Sequence, residues 1–148
     1  MEFTRVRDDI LLRLDPGEEI HESIQSLQAH GIDSAAITSG IGRCHDIEIG
    51  YLGSDGKYQK EMHNDSMELL STQGNLAPGP NGPFTHIHVV LSGDDKIVYG
   101  GHLFKATVSI TAEIHLRVLD GDLTDFMSAT LAMEVSGKTR AESQNNNN

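Results

Sequence analysis

Apolar residues fall at alternate positions from Ile10 through Leu12 to Leu14, the period of a strand with one buried face. The next segment changes period. Asp15-Pro16-Gly17-Glu18 reads as a helix start, with Asp15 as cap, Pro16 in the first position and Glu18 three residues after the cap. Ile20, Ile24 and Leu27 then follow at helical spacing, and Gly31 is placed to end the helix. From Ala35 the pattern returns to strands: 35–41, running into a Gly40-Ile41-Gly42 turn, and 46–52, followed by a loop around Asp55-Gly56-Lys57. Further strands are expected over 67–72, 84–91, 97–104 and 107–118. The last alternates Val108, Ile110, Ala112, Ile114 and Leu116 against Ser109, Thr111, Glu113, His115 and Arg117. Pro78 to Pro83 reads as a loop.

One helix and about seven strands joined by short turns predict an α+β domain with a largely antiparallel sheet. A chain of 148 residues suits one such domain. After Asp120 the pattern fades. Leu123 to Val135 fits a short helix or a further strand, and the Asn-rich end, 145–148, suggests a disordered tail over 136–148.

Charge narrows the partners. Lys plus Arg number 11 against 22 Asp plus Glu, a net charge of −11 without a basic cluster, which disfavours duplex DNA and anionic lipid. The single cysteine, Cys44, excludes an intrachain disulfide and fits a reducing compartment. Neither a signal peptide nor a membrane-spanning run is read, so the expected location is cytoplasmic.

The candidate chemistry lies in the histidines. His86 and His88 are two residues apart on an expected strand and share its face. A five-residue loop over 92–96 would place Leu91 opposite Ile97, Phe84 opposite Phe104, His86 opposite His102, His88 opposite Gly100 and Val90 opposite Val98. Three imidazoles would then meet on one face, with Gly100 leaving room beside them. Such a set suits Zn²⁺ or another divalent transition metal and leaves a position for an outside ligand. Glu68, a carboxylate in an apolar segment, is the candidate general base or supporting partner of that site. Glu113 and His115 are expected on a solvated face. Arg43 is a surface residue or an anion ligand, and Cys44 inert packing.

The segments Gly82-Pro83-Phe84-Thr85-His86-Ile87-His88-Val89-Val90-Leu91 and Gly100-Gly101-His102-Leu103 resemble the signature of the plants-and-prokaryotes-conserved (PPC) domain family. So do Arg13-Leu14-Asp15-Pro16-Gly17-Glu18, Gly40-Ile41-Gly42, Gly50-Tyr51, Met67-Glu68-Leu69-Leu70-Ser71 with Gly74-Asn75, and Thr111-Ala112-Glu113. The resemblance implies a PPC-like domain over 1–120; it covers no part of the extension over 121–135. It also implies an antiparallel sheet with one packed helix, a homotrimer, and a zinc-like ion on His86, His88 and His102. The plant members' Arg-Gly-Arg-Pro hook is absent.

Three functions follow as expectations. The first is a homotrimeric metal-binding module with a small-molecule or protein partner. The second is a small metal-dependent hydrolase or lyase using a metal-bound water, with Glu68 as base. The third is a DNA-associated protein by family kinship, against which the charge and the missing hook both count.

Overall fold

The computed structural model describes residues 1–121 and 123. The expected extension over 121–135 and the tail over 136–148 therefore lie, Gly121 and Leu123 apart, outside the described residues. Seven strands form one antiparallel sheet: β1 (Glu2–Val6), β2 (Asp9–Leu14), β3 (Ala35–Leu52), β4 (Tyr58–His63), β5 (Met67–Gly79), β6 (Gly82–Ser92) and β7 (Val98–Val118). A short helix, α1 (Ile20–Gln25), runs into a 3-10 turn over Ser26–His30. The strand order is β1-β2-β7-β6-β5-β3-β4, and β7 also pairs with β3. That extra pairing closes β3, β5, β6 and β7 into a ring, with β2 added along β7 and β4 along β3.

The core follows from the alternation. Ile10, Leu12 and Leu14 of β2 and Ile114 and Leu116 of β7 are fully buried, together with Ile20, Ile24 and Leu27 of the helical segment. Ile87 and Leu91 of β6 and Leu103 of β7 belong to the same core. Residues that alternate with these, His86, His88 and His102, project from the opposite face.

The helix begins later than its sequence suggests. Asp15 and Glu18 do engage each other, the Asp15 N–H donating to the Glu18 carboxylate at 2.8 Å. Gly17 between them is left-handed, with φ of 88°, and that turn cannot continue as helix. Glu19 is the cap instead, accepting the Glu22 N–H at 2.8 Å. Gly31 ends the segment as expected, with φ of 75°.

Two expected breaks are absent. Gly40-Ile41-Gly42 makes no turn, because β3 runs straight through it for 18 residues. These glycines serve strand approach: a Cβ at Gly42 would lie 2.7 Å from Ala112 Cα, and one at Gly40 would lie 2.9 Å from Thr72 Cβ. The expected strands over 97–104 and 107–118 are likewise one, β7. Conversely, β1 and β4 were not expected as strands. Both lie at sheet edges with mostly exposed residues, so neither shows a hydrophobic period.

The β6–β7 hairpin has the expected loop length but turns one residue later. Ser92 faces Val98, so His88, not His86, faces His102, and Gly100 faces Val90 rather than His88. Leu91 faces Tyr99, and the expected Phe84–Phe104 and Val90–Val98 pairs do not form. Asp95 decides the turn by accepting the Ile97 N–H at 2.9 Å, with Lys96 left-handed at φ of 66°. The paired numbers shift by two, which preserves every residue's face.

Candidate metal centre

Because the register shift keeps the faces, the three histidines still converge. His88 and His102 are cross-strand partners, and His86 is their neighbour two residues along β6. One potential ligand atom from each lies within 4.8 Å of the other two. His86 Nε2 and His88 Nε2 are 3.2 Å apart. Two nitrogens bound tetrahedrally at about 2.0–2.1 Å to one zinc ion stand roughly 3.3 Å from each other, so this pair already has ligand spacing.

The protonation states suit the same role. His102 is only 7% exposed, and its imidazole is pushed down from 6.5 to about 4, first by burial and then by the neighbouring His86 and His88. His86 is lowered as well, first by burial and then by the charge on His88. A neutral imidazole offers a lone pair to a cation, and an imidazolium does not.

This has a measurable consequence for the metal-free protein. In the unfolded chain His102 takes up its proton near 6.5, whereas the folded chain resists until about 4. Between those values the unfolded state holds more protons, so acidification destabilises the fold through this window. Thermal unfolding of chelator-treated protein should show Tm falling by several degrees from pH 7 to pH 4.5, and less so in His102→Asn.

His21, which no motif in the sequence marks, ties the helix to the strands that carry the histidines. Its Nε2 is 3.0 Å from the Leu103 carbonyl oxygen and its Nδ1 is 2.7 Å from Thr85 Oγ1. A carbonyl only accepts, so Nε2–H donates and Nδ1 accepts from the Thr85 hydroxyl. Gln25 Nε2 donates to the same hydroxyl oxygen at 2.9 Å. Thr85 and Leu103 adjoin His86 and His102 in the chain, so α1 holds the backbone on which two of the three histidines are mounted. Burial lowers the His21 pKa, in keeping with a neutral ring. His21→Ala removes two hydrogen bonds and opens a cavity, and should cost about 2–4 kcal/mol in denaturant unfolding. Retention of wild-type stability would show that the helix anchor is unimportant.

One wall of the site is aromatic. The His102 ring centre lies 4.6 Å from that of Phe104 and 5.2 Å from that of Tyr58. Gly50, cross-strand partner of His102, makes the room: a Cβ there would come within 2.6 Å of Phe104 Cε2. Phe104 comes from β7 itself, Gly50 from β3 and Tyr58 from β4; of the last two, only Gly50 is marked in the sequence, by the Gly50-Tyr51 match.

Glu68 is placed elsewhere. It faces Arg43 and Ser92, and its carboxylate accepts from Arg43 Nη1 at 3.1 Å. Gln73, which faces His88, is five residues further along β5, or about 16 Å at strand rise. Glu68 is therefore an exposed ion-pair partner, and the structure does not bring it to the histidines. Arg43 is also bound to Ser66 at 2.9 Å and lines a concavity of about 690 Å³ between β3, the β4–β5 loop and the β6–β7 turn. Cys44 is fully buried, its thiol pushed up to about 12 by burial, and is inert as expected. His115 bonds Thr38 at 2.6 Å on an exposed face.

Residues 1–120 match the sequence profile of the Plants and Prokaryotes Conserved (PCC) domain. The chain belongs to the PCC domain family. Among solved structures, this PCC protein is similar to a metal-containing protein from Archaeoglobus fulgidus, with 40% identity and a TM-score of 0.71 over 82% of this chain and 85% of the other. A plant- and prokaryote-conserved (PPC) protein of Pyrococcus horikoshii shows 31% identity and a TM-score of 0.71 over the same shares. A DNA-binding protein candidate from Bacteroides thetaiotaomicron has a TM-score of 0.75 but 18% identity over those shares, a likeness of fold alone. Separately, 28 residues, 19% of the chain, are 75% identical to peptide chain release factor 2 of Roseobacter denitrificans. That match spans only 8% of the release factor.

Proposed function

We propose that this PCC protein is a metal-binding module in which His86, His88 and His102 hold one divalent transition cation, zinc by donor preference. The observation that carries the reading is the convergence of three imidazoles of which His86 and His102 favour the neutral form, with two Nε2 atoms already at 3.2 Å. Kinship at 40% identity with a metal-containing protein supports it. A divalent ion held by three imidazoles retains a position for an outside ligand, at which it acts as a Lewis acid. The chain's own contribution is to fix the imidazoles through His21 and to shield His102 behind Tyr58 and Phe104.

Binding is favoured over hydrolase or lyase chemistry because, among the described residues, no carboxylate belongs to the cluster and Glu68 is engaged by Arg43. The homotrimer implied by the family resemblance is part of the proposal. Ile41, Leu70 and Ile110, all exposed, provide apolar surface for self-association. DNA is not the proposed partner, since three chains of −11 would repel it. Among the described residues no helix is long and apolar enough to cross a membrane.

X-ray absorption on zinc-loaded protein tests the reading. Three imidazole nitrogens at about 2.0–2.1 Å are expected. A first shell of oxygen or sulfur ligands alone would refute the site.

A further inference from the structure

The register places one row of residues across five neighbouring strands through the histidines. Lys60 faces Gly50, Gly50 faces His102, His102 faces His88, and His88 faces Gln73. Directly opposed residues share a face, so Lys60 and Gln73 flank the cluster from its two sides. Gly50 has no side chain, and the Phe104 ring fills the gap. Lys60 Nζ lies 3.7 Å above the centre of that ring, which is itself 4.6 Å from the His102 ring centre. The ammonium is thus no further from the imidazole than these two lengths together, and it is carried toward the cluster by a cation–π contact.

Charge makes the consequence specific. Among the described residues the ligand group contains only histidines. Neutral imidazoles leave the two positive charges of a bound cation uncompensated, and Lys60 adds a third. A partly desolvated site of that sign is completed by an anion from outside. We propose that the outside ligand of this site is a small carboxylate, and that Lys60 selects it. The inference rests on the metal-binding reading above.

The surroundings suit a carboxylate better than a phosphate. No arginine fork stands in the row, and a single ammonium is a point charge. On the far side, a shallow concavity of about 230 Å³ lined by Ser71, Gln73, His88 and Val90 offers space and hydrogen-bonding groups for a short polar chain. Lys60 is also 3.3 Å from Glu48, but both side chains are partly exposed. Such a pair is weak and can be exchanged for a ligand at little cost.

Cobalt(II)-loaded protein provides the test, because its visible spectrum reports outside ligands without any assay of activity. Acetate should shift the spectrum and acetamide should not. Lys60→Met should weaken acetate binding about tenfold or more, with cobalt affinity unchanged, while Lys60→Arg stays within about threefold of wild type. Equal acetate binding by wild type and Lys60→Met would overturn the role of Lys60. Cobalt uptake with no response to acetate, or tighter binding of inorganic phosphate than of acetate, would overturn the carboxylate assignment alone. Failure to take up cobalt would overturn both this inference and the metal-binding reading.

Discussion

His88→Ala should abolish metal binding while leaving the metal-free fold as stable as the wild type. The side chain is exposed, so its truncation changes stability by no more than about 0.5 kcal/mol. Its Nε2, however, is half of the 3.2 Å pair with His86 Nε2. Loss of an outer hydrogen-bond partner typically lowers metal affinity 10–100-fold, and loss of a ligand costs more than that. Zinc affinity should therefore fall more than about a hundredfold, as read by competition with a chromophoric chelator. His102→Ala should remove the metal as well. It should also lower stability, because the ring packs on Tyr58 and Phe104 and is nearly buried. His115→Ala is the control: that ring sits on an exposed face with Thr38, so metal affinity should be unchanged. Full zinc affinity in His88→Ala would show that the cluster is not the site.

The largest structural effect is expected at Gly74. This residue faces Ile87 on β6, and a Cβ on it would overlap the His86 carbonyl oxygen and lie 2.9 Å from Ile87 Cα. The obstacle is backbone of the strand that carries two of the histidines, so no side-chain rotation relieves it. Gly74→Ala should cost about 3 kcal/mol or more, a drop in Tm on the order of 10 °C, and should loosen the metal site with it. At Gly93 the nearest atom to an added Cβ is the flexible Asp95 carboxylate oxygen, at 2.9 Å. Gly93→Ala should therefore cost less than about 1 kcal/mol. Equal Tm for the two variants would contradict the claim that close strand approach at Gly74 positions β6.

The sequence made the site legible through two properties of strands. Alternation put His86 and His88 on one face, and any hairpin of the right loop parity puts His102 on that face too. Exact pairing was not legible, because the turn is decided by Asp95 and a left-handed Lys96 rather than by matched apolar pairs. Gly40-Ile41-Gly42 misled in a physical way: glycine allows a turn, but here it allows strands to approach. The polar edge strands β1 and β4 left no hydrophobic period. With β4 unseen, Tyr58 and Lys60 could not be placed beside the histidines. His21 was hidden for a related reason, since its partners Thr85 and Leu103 are more than 60 residues away in the chain. Glu68 was selected for the cost of burying a carboxylate, but at 54% side-chain exposure beside Arg43 it escapes that cost.

The most direct measurement is the metal content of protein purified without a histidine tag or chelator, by elemental mass spectrometry. The structure predicts about one divalent transition ion per chain in the wild type and none in His88→Ala. A wild-type protein free of metal even after incubation with zinc would contradict the account and leave the three histidines with a purely structural role.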